Sequence, residues 1–422
     1  MIIRSARFLV TRLLFLAMGL PIARYRKEVE KLWSLSEGDR AEELDQLLAR
    51  SRPRNSAGVE VTGLEVLRLS PPMSKKQLRN QFQKEQGKSG KFGFRRHTAG
   101  TTGELTQVSL DRKELSRMLG VRDYCFRHYG VKLGQREARL WGRPESGIKS
   151  WVKNFVMNRR VFHSVGPQAQ SEVVELLKWQ PDYLYGYASL LLEAAQIISN
   201  MDIEFDPPKC VVCTAESILP AQKAYISRAF KAPVAEEYGL TEFDVIAFEC
   251  AEGHRHLVNP WVIIEKSKDH GCLATDVSRT SQSLVRYELG DHVNLIVSGC
   301  TMLGAKEVIH QLEGRSINRF AYLSKNEKFH ALEFARAVNR YQLKSGEAFE
   351  FTVYQYQYGC FLLETYPSPA KGRLDLSDFI SEYLRSVVGV HVNITSTSNN
   401  VNKEPAAKKG YFVQAMEIDH DS

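Results

Sequence analysis

The chain has 422 residues with 57 lysines and arginines against 49 aspartates and glutamates, a formal net charge of +8, and 43% hydrophobic and 25% charged residues. This composition excludes a disordered or fibrous chain, and the length exceeds one ordinary domain, so two unequal globular domains are expected. The basic residues are spread out with no block of five like charges, which suits small polyanions such as nucleotides, coenzyme A or anionic lipid and argues against a nucleic-acid partner.

Met1 to Ile22 is rich in Ile, Leu, Phe and Val but carries Arg4, Arg7 and Arg12, and its longest uncharged run, Leu13 to Ala23, falls short of the ~20 residues that span a bilayer. No small-residue cleavage site precedes Pro21. Arginines gathered on one side of a helix, with apolar residues filling the rest, give the pattern of an interfacial helix in peripheral membrane contact. An ordinary helix packed on the main domain is the alternative. Ser36-x-x-Asp39 opens a helix with Leu44, Leu47 and Leu48 on one face, Arg50 to Gly58 reads as a loop, and Ser74-x-x-Gln77 is a capping box before a polar helix. Helices are expected over Leu110 to Leu119, Val173 to Trp179 and Ala188 to Ser199. A strand at Cys210 to Cys213, a Pro220-led helix to Phe230 and a strand at Val234 to Glu237 follow. Such alternation predicts an α/β fold of helix-covered parallel or mixed sheets. Farther on, strands at Phe349 to Gln357 and Cys360 to Thr365, a helix over Leu376 to Val388 and a strand at Val390 to Ser396 predict a small C-terminal α+β domain.

Seven cysteines, an odd number scattered over a long chain, do not make a secreted disulfide framework, so a cytoplasmic protein, with membrane association through the N-terminal helix as its variant, is expected. Cys210 and Cys213 have a CxxC spacing, but they belong to a strand, where positions three apart face opposite ways, and are rejected as a zinc knuckle.

The segment Arg96-His97-Thr98-Ala99-Gly100-Thr101-Thr102-Gly103-Glu104 packs hydroxyls and glycines as a phosphate cradle would. It lacks both the Gly-Lys-Ser/Thr ending of a Walker loop and the Gly-x-Gly of a dinucleotide fold. Three segments follow in fixed order: Glu237-Tyr238-Gly239-Leu240-Thr241-Glu242, Arg286-Tyr287-Glu288-Leu289-Gly290-Asp291 and Gly314-Arg315. With Thr214-Ala215-Glu216, Gly186 to Ser189 and Leu69 to Lys75, this succession resembles the adenylate-forming superfamily, in its phenylacetate-CoA ligase and CapK-like capsular polysaccharide branch.

The resemblance implies an ATP- and Mg²⁺-dependent ligase that makes an acyl-AMP and passes the acyl group to an acceptor thiol, amine or sugar hydroxyl, in surface-polysaccharide synthesis; an aryl-acid coenzyme A ligase and a degenerate nucleotide-binding protein are the alternatives. It assigns Thr98, Gly100, Thr101, Thr102 and Gly103 to the β- and γ-phosphates, Thr241 to the α-phosphate and Glu242 to Mg²⁺. Tyr238, Gly239, Ala215 and Glu216 fall to the adenine, Asp291 to the ribose hydroxyls, and Arg315 to the ribose or a phosphate. The domains it implies are 1–314, large, and 315–422, small and mobile. The chain departs from the family pattern at Leu289, at Ile317-Asn318 after the hinge, and at Tyr411, where a catalytic lysine is expected. Lys408 or Lys409 is expected to replace that lysine. Relatives can also carry a Cys/His zinc cluster, for which Cys250, His254, His256 and Cys300 are the corresponding residues, Met302 standing where a further cysteine is expected.

Overall fold

The computed structural model describes residues 2–85, 93–97, 107–141, 147–267, 269–315, 320–367, 369, 373–398 and 411–416. Five helices come first: α1 (Ile2–Ala17), α2 (Ile22–Ser34), α3 (Glu37–Ser51), α4 (Leu64–Leu69) and α5 (Lys75–Glu85). The Ser36 side chain accepts from the Asp39 amide to start α3, which continues to Ser51, into the stretch expected to be loop. Ser74 and Gln77 exchange hydrogen bonds to start α5. The antiparallel hairpin β1 (Phe94–His97) and β2 (Gln107–Leu110) leads to α6 (Arg112–Arg127). Leu110 is thus a strand residue, and the helix expected from that position begins only after Asp111, whose capping box with Glu114 satisfies two terminal amides.

Strands and helices then alternate: β3 (Glu137–Leu140), α7 (Ile148–Val156), β4 (Arg159–Phe162), α8 (Ala169–Trp179), β5 (Tyr183–Tyr187), α9 (Ala188–Ser199), β6 (Val211–Thr214), α10 (Pro220–Phe230) and β7 (Val234–Leu240). An antiparallel run follows: β8 (Asp244–Glu249), β9 (Arg255–Leu257), β10 (Val262–Ser267), β11 (Gly271–Asp276), β12 (Tyr287–Glu288), β13 (Asp291–Val297) and β14 (Glu307–Arg315). Nine of these strands form one sheet in the order β13-β14-β9-β8-β7-β6-β5-β3-β4, parallel from β7 to β4 and antiparallel from β7 to β13. All four residues of β6 are buried, as a strand covered on both faces requires. Cys210 and Val212 join the core under α2 and α6, while Val211 and Cys213 join the core under α8, α9 and α10. The two cysteines therefore lie in different cores. Strands β10, β11 and β12 make a smaller sheet over a core that includes Tyr238, Tyr287 and Leu289.

Beyond Arg315 the chain builds another core: β15 (Phe320–Tyr322), β16 (Lys328–His330), α11 (Leu332–Ser345), β17 (Glu350–Gln357), β18 (Cys360–Tyr366), α12 (Arg373–Tyr383), a π-helical turn at Leu384–Val388, β19 (Asn393–Ser398) and β20 (Phe412–Gln414). Its sheet runs β19-β18-β17-β20, and Phe334, Phe361, Leu363 and Leu376 fill the space beneath α11 and α12. Gln196 and Gln222 side chains, donating to the Ala348 and Phe349 carbonyls, tie this unit to α9 and α10.

Candidate active site

A cleft of about 2110 Å³ opens at the C-terminal ends of the parallel strands and runs from α1 and α7 to the C-terminal unit. The crevice outside the carboxyl ends of parallel strands is where an open α/β sheet leaves backbone groups and loops free to bind ligands. The turn from β7 to β8 shapes it. Gly239 sits at a bulge where an added Cβ would lie 1.9 Å from the Asp244 carbonyl oxygen, so no other residue fits without moving the backbone. At β5, a Cβ on Gly186 would meet the Leu140 carbonyl at 2.6 Å.

The cleft gathers Ala215, Glu216, Gly239, Thr241, Glu242 and Asp291 from segments far apart in sequence. Ala215 takes a left-handed backbone, φ +68°, directly after β6, and Glu216 accepts from the Ser189 amide at 3.0 Å. Glu242 is buried and accepts from the Tyr287 hydroxyl at 3.0 Å. Asp291 accepts from the Tyr238 hydroxyl at 3.1 Å. Burial, and the carboxylate beside each, push both phenols up, so each remains a donor at neutral pH. Tyr238 itself is buried in the core beneath β8 and β11, and its ring is not among the residues lining the cleft; it contributes the hydroxyl that orients Asp291. Arg315 is the register partner of Asp291 across β13 and β14.

Thr98, Gly100, Thr101, Thr102 and Gly103 lie outside the described residues, as do Lys408 and Lys409. Their flanks are placed. His97 pairs with Gln107, and Phe94, Arg95 and Arg96 line the cleft. Tyr411 also lines the cleft, stacked on Phe351 at 5.0 Å, with a buried hydroxyl that has no hydrogen-bond partner. Burial and then Glu236 and Glu216 push that phenol up.

The charged floor of the cleft was not anticipated as a unit. Arg122 from α6 meets Asp244 at 3.1 Å and Glu237 at 3.3 Å, while Arg96 meets Asp244 at 2.7 Å. The Tyr185 and Thr214 hydroxyls donate to the same Glu237 oxygen at 2.6 and 3.2 Å. Burial by itself would raise the Asp244 carboxyl, but Arg122 and Arg96 outweigh it and hold it at about 2. Among the described residues, Glu237 Oε2, Asp244 Oδ2 and Arg122 Nε are buried without partners, an arrangement able to receive polar groups of a ligand. Beside them Trp141 stacks near Tyr185 at 6.1 Å, with the Arg139 guanidinium 4.6 Å from the Tyr185 ring. The pairing of Arg122 with residues more than a hundred positions away leaves no local signal in the sequence.

Outside the cleft, Cys250, His254, His256 and Cys300 bring one ligand atom each to within 4.8 Å of one another. Cys250 Sγ lies 3.9 Å from Cys300 Sγ and 4.0 Å from His254 Nδ1. His256 Nδ1 is 2.6 Å from the Ala305 carbonyl, and its Nε2 is buried without a partner. Such a bond sets a ring to present Nε2, and two sulfurs with two imidazoles at these separations fit a tetrahedral Zn²⁺.

Parallel strands with helices on both faces, an antiparallel extension and a small α+β unit across the cleft define the fold of adenylate-forming ligases. A 2-hydroxyisobutyryl-CoA ligase, solved in the postadenylation state with R3-HIB-AMP, superposes with a TM-score of 0.70 at 16% identity, covering 90% of each chain. The same enzyme with 2-HIB-AMP gives 0.61 over 93% of this chain and 88% of that one, again at 16% identity. No protein-family model matches. Protein CapK of Staphylococcus aureus is 25% identical over 257 residues, 58% of this chain and 57% of that protein's length. The chain therefore has the fold of the adenylate-forming ligases and is similar in sequence to CapK over part of its length.

Proposed function

We propose that the protein is an ATP-dependent ligase that joins a carboxylic acid to AMP, releasing pyrophosphate, and then transfers the acyl group to an acceptor. The observation that carries this reading is the convergence of Glu242, Thr241, Asp291 and the β1–β2 hairpin on one cleft, in a fold shared with an enzyme solved with acyl-AMP. A substrate carboxylate oxygen attacks the α-phosphorus and the bond to pyrophosphate breaks, so the site must align the two and spread the charge that develops. Thr98 to Gly103 would hold the β- and γ-phosphates and Asp291 the ribose hydroxyls. Ala215, Glu216 and Gly239 would flank the adenine. Mg²⁺ would supply charge neutralisation on the phosphates, and Glu242, an oxygen donor facing the cleft with one oxygen anchored by Tyr287, suits such a hard cation.

Residues 315–422 would act as a mobile unit, with Lys408 or Lys409 reaching the transferring phosphate in place of Tyr411. Zn²⁺ at Cys250, His254, His256 and Cys300 would be structural. A role in surface-polysaccharide synthesis, with an amine or sugar hydroxyl as acceptor, is what the resemblance of the ordered motifs to the CapK-like branch implies. Coenzyme A is the second acceptor to test, because the solved relative is a coenzyme A ligase. Exchange of labelled pyrophosphate into ATP, screened over aromatic acids, amino acids and fatty acids, tests the first half-reaction. At least one acid should support exchange, and Glu242→Gln should lower it at least a hundredfold, about 3 kcal/mol in the barrier. Folded protein that binds ATP and exchanges with none would leave the degenerate nucleotide-binding reading in its place. Thiol consumption during turnover separates coenzyme A from the other acceptors.

A further inference from the structure

Two helices at one edge of the cleft expose apolar faces to solvent. In α1 every exposed position between residues 6 and 18 is apolar, with Leu9, Leu13 and Leu16 each about 60% exposed. Arg7 and Arg12 turn the other way. Both are half-buried, and Arg7 donates to Thr11 Oγ1 at 2.6 Å and to the Phe155 carbonyl, its guanidinium 4.4 Å from the Phe155 ring. This is the inverse of the arrangement that water selects. The partner of that contact, α7, has no buried residue, and Ile148, Trp151, Val152 and Phe155 are exposed at helical spacing. Contiguous exposed apolar surface of this kind marks a face that something covers.

We infer that α1 and α7 together form a docking surface for an anionic lipid bilayer, both helices lying in the headgroup region. The charge pattern selects this occupant: the two helices contain no acidic residue, Lys149 and Lys153 lie exposed beside the apolar face of α7, and the chain carries a net charge of +8. Trp151 supplies the ring that prefers the boundary between hydrocarbon and water. At 16 residues α1 is roughly 24 Å long, short of the ~30 Å hydrocarbon core, so it lies on the membrane. Among the described residues no single helix is long and apolar enough to cross a membrane.

The inner sides of the same helices contribute Phe15 and Val156 to the cleft. On the proposed function, the acid or the acceptor is then an amphiphile drawn from the bilayer, although the docking itself does not depend on that reading.

Sedimentation of the purified full chain with vesicles tests it. The protein pellets with phosphatidylcholine vesicles containing phosphatidylglycerol, and binding to pure phosphatidylcholine vesicles is at least roughly tenfold weaker. The triple variant Leu9→Ser, Leu13→Ser, Leu16→Ser, altered only at exposed positions, keeps its melting temperature and loses roughly tenfold or more in vesicle binding. Trp151 emission, isolated by difference with Trp151→Phe, shifts to the blue on adding anionic vesicles. Protein that stays in the supernatant with both vesicle types overturns the inference, as does equal binding to both. A dimer that the triple variant turns into monomer, with no vesicle binding, assigns the face to a second copy of the chain instead.

Discussion

Two buried carboxylate clusters stand a few strands apart in the same sheet and are built from the same residue types, yet one is closed and the other open. Around Glu137, Arg159 donates to both carboxylate oxygens at 2.6 and 3.2 Å, Arg139 adds a contact at 2.7 Å and the Tyr183 hydroxyl another at 2.7 Å. Every Glu137 oxygen is spoken for, and the residue does not line the cleft. Around Glu237 and Asp244, one oxygen of each carboxylate and Arg122 Nε have no partner among the described residues, and all three residues face the cleft. A saturated buried network fixes structure, whereas one with spare donors and acceptors costs stability until a ligand completes it. The first holds the strands together; the second is where the sheet can bind.

The largest effect expected from this contrast is on stability. Glu137→Gln leaves Arg139 and Arg159 without a counter-charge and should destabilise the protein by about 3–5 kcal/mol, measured by denaturant unfolding, with ATP affinity unchanged. Burial by itself would raise the Glu137 carboxyl, but Arg139 and Arg159 outweigh it and lower it to about 2. Its contribution is therefore complete above the unfolded value of 4.5 and lost as the pH falls to about 2, and Glu137→Gln should flatten the pH dependence of stability across that window. A steep acid transition in the variant would break the comparison.

Next in size is the Cys/His cluster, whose orphaned His256 Nε2 is an open valence like that of Asp244. Purified protein should retain about one zinc per chain, and chelation should lower the melting temperature by roughly 5 °C, since metal bound only by the folded state adds to folding free energy. Metal-free protein of undiminished melting temperature removes zinc from this site.

Asp244→Asn frees Arg122 and Arg96 at the open cluster. It should lower kcat/KM for the acid roughly tenfold, about 1.4 kcal/mol, while destabilising the fold less than Glu137→Gln. The opposite ranking would mean that the two clusters have exchanged roles. The smallest effect belongs to Tyr238→Phe, which removes one hydrogen bond to Asp291 and should weaken ATP binding roughly fivefold, about 1 kcal/mol, by calorimetry.

The sequence by itself determined the elements whose signals are local. Ser36 before α3 and Pro220 in the first turn of α10 act within a few residues, and the caps and propensities that set them were legible. The apolar run at Cys210 to Cys213 marked a strand, and the ordered motifs carried the resemblance to the adenylate-forming superfamily. Only the tertiary structure decided which side chains meet. Arg122 faces Asp244 and Glu237 because α6 packs on β8, the strand paired with β7, and His256 joins Cys300 because β9 pairs with β14 beside it. The orientation of α1 was likewise decided by its neighbours: arginines on one side suited either burial scheme, and the Phe155 carbonyl and ring on α7 are what drew Arg7 inward and left the leucines outside. Periodicity fixes which residues share a face, because the helix turn is a property of the backbone. Which way that face points depends on contacts between segments distant in the chain, and those have no period to read.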